Sequence, residues 1–144
     1  MPDRVIRLHW DALLIAIGRT TMSKPQPGIL APLPDHSRYL EFGAIADTEP
    51  VSVLRDLASW PLEQDLVIGL GPGLIHGLGK SFEGLRPFPT MSGPGCEVPS
   101  TQADIWCWVR GSDRGRITHS ARAIERMLRP AFRCDRLVDG FRFD

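Results

Sequence analysis

Residues 101–130 read "TQADIWCWVRGSDRGRITHSARAIERMLRP" and join a strand pattern directly to a helix pattern. In the first part, Ile105, Cys107 and Val109 alternate with Trp106 and Trp108. Successive side chains of a strand point to opposite faces, so this stretch predicts a strand that is apolar on both faces. Such a strand is buried on both sides, and something must therefore cover each face of the sheet that contains it.

The second part of this stretch is the clearest helix of the chain. Ser112 or Asp113 can cap its start, and Pro130 stops it. Its apolar residues recur at spacings of four, three and four, which places them on one helical face. They are Ile117, Ala121, Ile124 and Leu128. The pattern predicts an amphipathic helix that packs on the preceding strand.

An earlier strand and helix repeat this arrangement nearer the start of the chain. Residues 37–47 alternate with a period of two, with Leu40 and Phe42 on one face, and predict a first strand. A helix follows, with Thr48 as the expected cap and Pro50 in its first turn, and it ends at Trp60. The apolar face expected for this helix consists of Val51, Leu54, Leu57 and Ala58.

The remaining segments complete the domain. Residues 65–71 predict a short apolar strand, residues 73–78 one helical turn, and residues 80–100 a long loop rich in Gly, Pro and Ser. The last segment, residues 131–143, reads as a strand with a bulge or bend at Asp139 and Gly140. The order strand, helix, strand, strand, helix, strand predicts an α+β, ferredoxin-like (split βαβ) fold. Its antiparallel sheet would carry both helices on one face and leave Trp106 and Trp108 on the other.

The N-terminal part differs from this periodic region. Residues 20–38 hold four prolines and predict an extended arm without regular helix. We expect residues 1–21 to be an N-terminal extension and residues 22–144 to form the ferredoxin-like domain.

Composition excludes several classes of protein. Seventeen Lys and Arg residues balance seventeen Asp and Glu residues, so the chain offers no basic field for nucleic acid. The apolar run at residues 12–18 is too short to span a membrane. Three cysteines without metal-ligand spacing argue against a disulfide framework and favour a reducing cytoplasm.

The motifs that could carry chemistry are weak. A phosphate-binding loop requires a shorter spacing between its outer glycines than the five residues between Gly73 and Gly79. Cys96 lacks the surroundings of a catalytic nucleophile. The histidines do not form a metal-binding pair on any predicted helix; they are His9, His36, His76 and His119. Trp106 and Trp108 are expected to form a packing surface. We therefore assign no catalytic, cofactor-binding or metal residue from these patterns.

Several separate stretches, in order, resemble the N-terminal half of a Dyp-type (dye-decolorising) haem peroxidase of the bacterial porphyrinogen-peroxidase-like branch. They are "QPGILAPLPDHSRYLEFGAI" at residues 26–45, "DLVIGLGPGLI" at 65–75, "RPFP" at 86–89, "VPSTQADIWCWVRGSDRG" at 98–115 and "VDGFRF" at 138–143. The resemblance implies one of two ferredoxin-like halves and haem b as the cofactor, held largely by the second half. It also implies hydrogen-peroxide-dependent oxidation of dyes, phenols or porphyrin-like substrates. Since "MSKPQPGIL" at residues 22–30 resembles a family start, the resemblance implies that Met22 is the natural first residue; the alternative is a genuine short extension that begins at Met1.

The family's haem ligand, distal arginine and Gly-x-x-Asp-Gly aspartate all follow the step that is found here at Phe141–Phe143. The resemblance therefore places no catalytic or haem-ligand residue on this chain, and it implies that the chain is inactive alone. The expected partner is the missing C-terminal half, or a second copy that covers Trp106 and Trp108. An alternative is a stand-alone dimeric module that binds a small molecule or a partner through the open sheet face. In a third, the dimer recruits haem through His76 or His119.

Overall fold

A computed structural model describes residues 25–143. The predictions for residues 1–21, for Met22 as a start and for His9 lie outside the described residues. Ten elements follow one another along the described chain. They are α1 (Pro27–Leu30), β1 (His36–Ala44), α2 (Pro50–Ala58), β2 (Leu66–Leu70), α3 (Pro72–Gly77), β3 (Met91–Gly93), β4 (Cys96–Val98), β5 (Ile105–Gly111), α4 (Arg114–Leu128) and β6 (Phe132–Phe141).

Four strands form the main sheet, in the spatial order β6, β1, β5, β2, and every neighbouring pair is antiparallel. The two helices α2 and α4 contact each other, and α4 packs on β1 and β5. This strand order, with both helices on the same face of the sheet, confirms the predicted ferredoxin-like fold. β3 and β4 form a separate hairpin within the segment that was expected to be a loop.

The core lies between the helices and one face of the sheet. From the sheet, Leu40, Phe42, Ile105 and Cys107 are almost completely buried. All four residues of the predicted stripe on α4 are buried opposite them. The alternation in the sequence therefore gives the orientation of β1 and β5 correctly. Among the described residues, no helix is long and apolar enough to cross a membrane.

Two local expectations were wrong. The cap of α2 is Glu49, whose carboxylate accepts from the Val51 N–H, while the Thr48 hydroxyl donates instead to the Ile45 carbonyl. The irregularity in β6 lies at Asp135, where the pairing steps from Glu41–Arg136 to Phe42–Cys134. Asp139 and Gly140 pair regularly with β1, because a bulge depends on the register with the neighbouring strand rather than on local turn residues.

The proline-rich arm also departs from the expectation of a purely extended chain. One helical turn, α1, begins at Pro27, where the missing proline N–H costs no hydrogen bond. The turn brings Gly28 into the buried part of the structure, so the arm is packed on the domain.

Candidate functional site

Three aromatic side chains lie together on the sheet face opposite the helices, and we call Tyr39, Trp106 and Trp108 the aromatic face. The Tyr39 ring centroid lies 5.9 Å from that of Trp106 and 6.0 Å from that of Trp108, with the planes nearly stacked. The two indole rings are 6.5 Å apart. All three side chains remain partly exposed. The prediction that Trp106 and Trp108 share this face is confirmed, and Tyr39 joins them because it pairs with Trp108 across the β1–β5 ladder.

Neighbouring small residues fix how these rings lie. The Trp108 Nε1–H donates to the Ser37 hydroxyl over 2.9 Å. A Cβ placed at Gly69 would lie 3.7 Å from the Trp106 ring, and one at Gly140 would lie 3.4 Å from the Tyr39 ring. The rings therefore spread over strand backbone that carries no side chain at these points. This arrangement presents broad ring surface to whatever covers the sheet.

The N-terminal arm covers one corner of this sheet face. The Gln26 side-chain amide donates to the Ile68 carbonyl over 2.7 Å and accepts from the Ile68 N–H over 2.9 Å. Gly28 packs so closely on Val67 that a Cβ would come within 2.7 Å of that side chain. Gln26 thus occupies the free edge of β2, which would otherwise offer unpaired backbone groups to another strand.

Arg110 joins the arm to the aromatic face. Its side chain is only 4% exposed, and its guanidinium donates to the carbonyl oxygens of Gly28, Ala31 and Pro32. The guanidinium carbon also lies 4.3 Å from the centre of the Trp108 ring, which is a cation–π contact. Sequence reasoning missed this role of Arg110. The available signal was its position two residues after Trp108, on the same face of the strand.

The arm adds apolar surface beside the aromatic face. Three of its outer side chains are more than half exposed, although the backbone between them is held by Arg110. They are Ile29, Leu30 and Leu33. An exposed apolar surface of this kind, carried by ordered backbone, is typical of a protein interface.

Two cavities lie near the start of α4. A groove of about 570 Å³ runs beside the helix start and is lined by charged residues that include Glu63, Asp65 and Arg116, with no histidine. A smaller cavity of about 320 Å³ contains His36 beside the ion pair of Arg38 and Asp139, whose two hydrogen bonds measure 2.6 and 2.8 Å. The hydrogen bond from Arg38 lowers the pKa of the Asp139 carboxyl, and the same bond raises the pKa of Arg38.

Among the described residues, the histidines and cysteines lie at separate places on the structure. Haem needs an axial ligand that projects into an apolar enclosure. His76 and His119 are exposed on the surface, and His36 faces an ion pair. Cys96 is also exposed, and within residues 25–143 no three ligand-type side chains converge as a metal site. The histidines and cysteines therefore remain apart, and the feature that stands out is the aromatic face with its arm.

Comparison with known proteins agrees with this fold. The family model for the N-terminal part of Dyp-type peroxidases matches residues 61–142. A protein from Shewanella oneidensis assigned to the Dyp-type peroxidases superposes with a TM-score of 0.76 at 23% identity, over 85% of this chain and 44% of that one. A DypB variant from Rhodococcus jostii RHA1 in complex with heme superposes with a TM-score of 0.65 at 23% identity, over 83% of this chain and 43% of that one.

A dye-decolorizing peroxidase from Bacteroides thetaiotaomicron is more distant in sequence, with 16% identity and a TM-score of 0.63 over 78% of this chain and 42% of that one. No curated protein matches the sequence significantly. The chain spans less than half the length of each of these solved structures. At such identities the superpositions establish the shared fold.

Proposed function

Because the chain belongs to the Dyp-type peroxidase family, whose N-terminal domain it matches, we propose that it acts as the N-terminal unit of a haem-dependent peroxidase. In this function its aromatic face packs on a second unit that holds the haem. The reaction is the hydrogen-peroxide-dependent oxidation of dyes, phenols or porphyrin-like substrates. The observation that carries the proposal is a stacked set of Tyr39, Trp106 and Trp108 left partly exposed on an ordered sheet.

The energetics of the aromatic face favour a protein partner. Each aromatic side chain buries roughly 150–250 Å² when it is fully covered, and tyrosine and tryptophan are enriched among the residues that dominate binding energy. The Trp108 ring is already held by Ser37, and Tyr39 stacks on both indole rings, so little conformational entropy is lost when a partner covers them. A rigid aromatic surface is therefore suited to a permanent interface between two folded units.

In this proposal, haem b is held by the second unit. The DypB variant that resembles this chain was solved with heme, while His36, His76 and His119 here lack an apolar enclosure. When it is bound in the second unit, haem supplies the peroxide and electron-transfer chemistry. The present chain contributes the sheet that closes one side of the assembly, and we expect it to be inactive without the second unit, whichever polypeptide carries that unit.

A second candidate function is that of a homodimer, because the same surface would also suit a second copy of this chain. In a homodimer the two aromatic faces would meet, and the module would bind a small molecule or a partner between its sheets. The near-neutral net charge allows such self-association without strong repulsion. The stoichiometry of the purified protein separates this function from the first.

We also propose a cytoplasmic location. Cys96, Cys107 and Cys134 are all free thiols in the folded chain. Secreted domains of this size commonly use cysteines in disulfides, whereas the cytoplasm keeps thiols reduced.

The proposed function is tested with the purified chain, alone and after co-expression with the part of the Shewanella oneidensis protein that extends beyond the match. Alone, we expect no stoichiometric Soret absorbance and no peroxide-dependent dye oxidation. With the second unit, we expect co-purification, haem retention and turnover, and these should be lost in Trp106→Ser/Trp108→Ser. Ile45→Ser serves as a control, because Ile45 is also an exposed apolar side chain but lies after the end of β1. Robust turnover by the chain alone would overturn the proposal.

A further inference from the structure

A second surface of the molecule lies outside both the core and the aromatic face. Every residue from 81 to 102 is exposed, and we call this range the hairpin segment. It is nevertheless ordered internally, because β3 and β4 pair and the Ser100 hydroxyl donates to the Phe88 carbonyl over 2.6 Å. The Ser100 N–H also donates to the Thr90 hydroxyl over 3.2 Å.

The hairpin segment exposes a dense set of large apolar side chains. Phe88 and Met91 are 47% and 50% exposed. Met91 lies directly opposite Val98 in the β3–β4 ladder, so these two side chains share one face of the hairpin. The others are Phe82 and Leu85. An isolated two-stranded hairpin is marginally stable in water, and this one gains little from the rest of the domain.

The base of the hairpin segment, in contrast, is firmly anchored. The Gly71 N–H donates to the Asp104 carbonyl over 2.8 Å, and the Asp104 N–H donates to the Phe42 carbonyl over 2.9 Å. The Asp104 carboxylate accepts from the Ala44 N–H over 2.8 Å. These bonds tie together the ends of β1, β2 and β5, from which the segment leaves the sheet. A fixed base that carries exposed apolar side chains is the geometry of an element that reaches a neighbouring surface.

We propose that the hairpin segment is a second docking element, which clasps the haem-holding unit through the side of β3 and β4 that carries Met91 and Val98. This inference rests on the proposed function, since it concerns the same partner. The occupant is chosen because the family match at residues 61–142 runs through the segment, and because the similar solved chains continue for more than half their length outside the match. The segment carries only Glu83, Arg86 and Glu97 as charged residues, so an apolar protein surface suits it better than a nucleic acid or an anionic membrane.

The experiment compares three variants of the full chain against the C-terminal part of the Shewanella oneidensis protein, loaded with haem. Met91→Ser/Val98→Ser alters the hairpin segment, Trp106→Ser/Trp108→Ser alters the aromatic face, and Ile45→Ser is the control. Because Met91 and Val98 are exposed, their loss should leave the circular dichroism and urea unfolding of the chain unchanged. We expect the hairpin variant to bind about tenfold or more weakly, as the loss of two apolar anchors would give.

Cys96 provides an independent readout of contact. It lies within the hairpin and is exposed, whereas Cys107 is buried and Cys134 is partly buried. We expect its alkylation rate to fall when the haem-holding unit binds, and to recover in the hairpin variant.

The outcomes separate the two proposals. If the wild-type chain binds but the hairpin variant binds equally well and Cys96 stays reactive, the hairpin inference is wrong and the proposed function stands. If the chain alone holds haem and turns over peroxide, the proposed function fails together with the inference. If the hairpin substitutions change only the self-association of the chain in sedimentation, the segment docks on a second copy instead.

Discussion

Arg110 links two parts of the sequence that are 82 residues apart. Its guanidinium is buried, and its hydrogen bonds go to the carbonyl oxygens of Gly28 and Pro32, with a weaker one to Ala31. Burying a charged side chain costs free energy unless its N–H groups make hydrogen bonds. Here the carbonyl oxygens of the arm accept those bonds, and the Trp108 ring adds a cation–π contact. The side chain therefore determines where the arm lies on the sheet.

Replacing Arg110 should loosen the arm. We expect Arg110→Met to lower the free energy of unfolding by about 2–3 kcal/mol, because charged hydrogen bonds are lost while the arm can partly rehydrate. Arg110→Lys should lose less, since an ammonium can still donate to one or two carbonyls. Urea titration followed by circular dichroism measures the effect. Arg122→Met on the exposed side of α4 is the matched control and should change stability little; equal effects at the two positions would contradict the assigned role.

Cys107 makes the stability of the protein dependent on alkaline pH. Burial in the core raises the pKa of its thiol to about 12 from its ordinary value of 9.0. Above pH 9 the unfolded chain releases this proton while the folded chain keeps it, so the unfolded state binds fewer protons and stability falls as pH rises. The stabilisation is complete below pH 9 and is lost between 9 and about 12.

We expect this thiol to contribute a slope of up to about 1.4 kcal/mol per pH unit in that window. Cys107→Ala should remove this contribution, although its truncated side chain lowers stability at every pH. The measurement is urea unfolding at a series of pH values from 8 to about 10.5, with Cys96→Ala as the control because Cys96 is exposed. Parallel slopes for the wild type and Cys107→Ala would show that this thiol does not cause the effect.

At the level of elements, the junction between β2 and β5 depends on a close approach of two backbones. A Cβ at Gly71 would lie 2.0 Å from the Ala103 carbonyl oxygen, although the backbone angles at Gly71 are ordinary for any residue. The constraint is therefore steric, and it acts where the hairpin segment leaves the sheet.

Gly71→Ala should consequently force β2 and β5 apart at this end. We expect a loss of at least about 2 kcal/mol in the free energy of unfolding, at the upper part of the usual range for overpacking. Gly77→Ala at the end of α3 is the matched control, since a Cβ there meets no atom within 4 Å. The two variants are compared by thermal and urea denaturation, and the expectation fails if they are equally stable.

The sequence predicts the elements whose pattern is local and misses those that depend on distant partners. The stripe from Ile117 to Leu128 and the alternation in β5 can be seen in neighbouring residues, and both are confirmed. The bulge at Asp135 exists only relative to β1, so the turn-like Asp139 and Gly140 gave a wrong position.

For the candidate site, Trp106 and Trp108 could be predicted from their alternation, whereas the arm and Tyr39 could not. The arm is positioned by the hydrogen bond from Arg110 to the Gly28 carbonyl. A contact between residues so far apart in the sequence cannot be predicted from a local pattern. Tyr39 joins the site through its register with Trp108, which depends on strand pairing.

At the scale of the whole molecule, the two sides of the main sheet differ in how much of each is covered. One side is covered by α2 and α4, while within residues 25–143 the other is covered only at one corner, by the arm. An exposed aromatic surface in water favours association, because covering it removes apolar area from solvent. The proposed pairing with a haem-holding unit and the alternative homodimer both complete the same uncovered side.

Tryptophan fluorescence can report directly whether a partner covers the aromatic face. In a Trp10→Phe/Trp60→Phe background, the remaining emission comes from Trp106 and Trp108. For the isolated monomer we expect efficient quenching by acrylamide, since both indoles are partly exposed. Binding of the haem-holding unit should shift the emission to shorter wavelength and reduce quenching of the light that haem does not absorb, because water and quencher are excluded from a packed interface. Using a haem-free second unit controls for energy transfer to haem. If acrylamide quenching is unchanged while the complex forms, the partner docks elsewhere. If quenching of the chain alone decreases as the protein concentration is raised, the aromatic face pairs with that of a second copy.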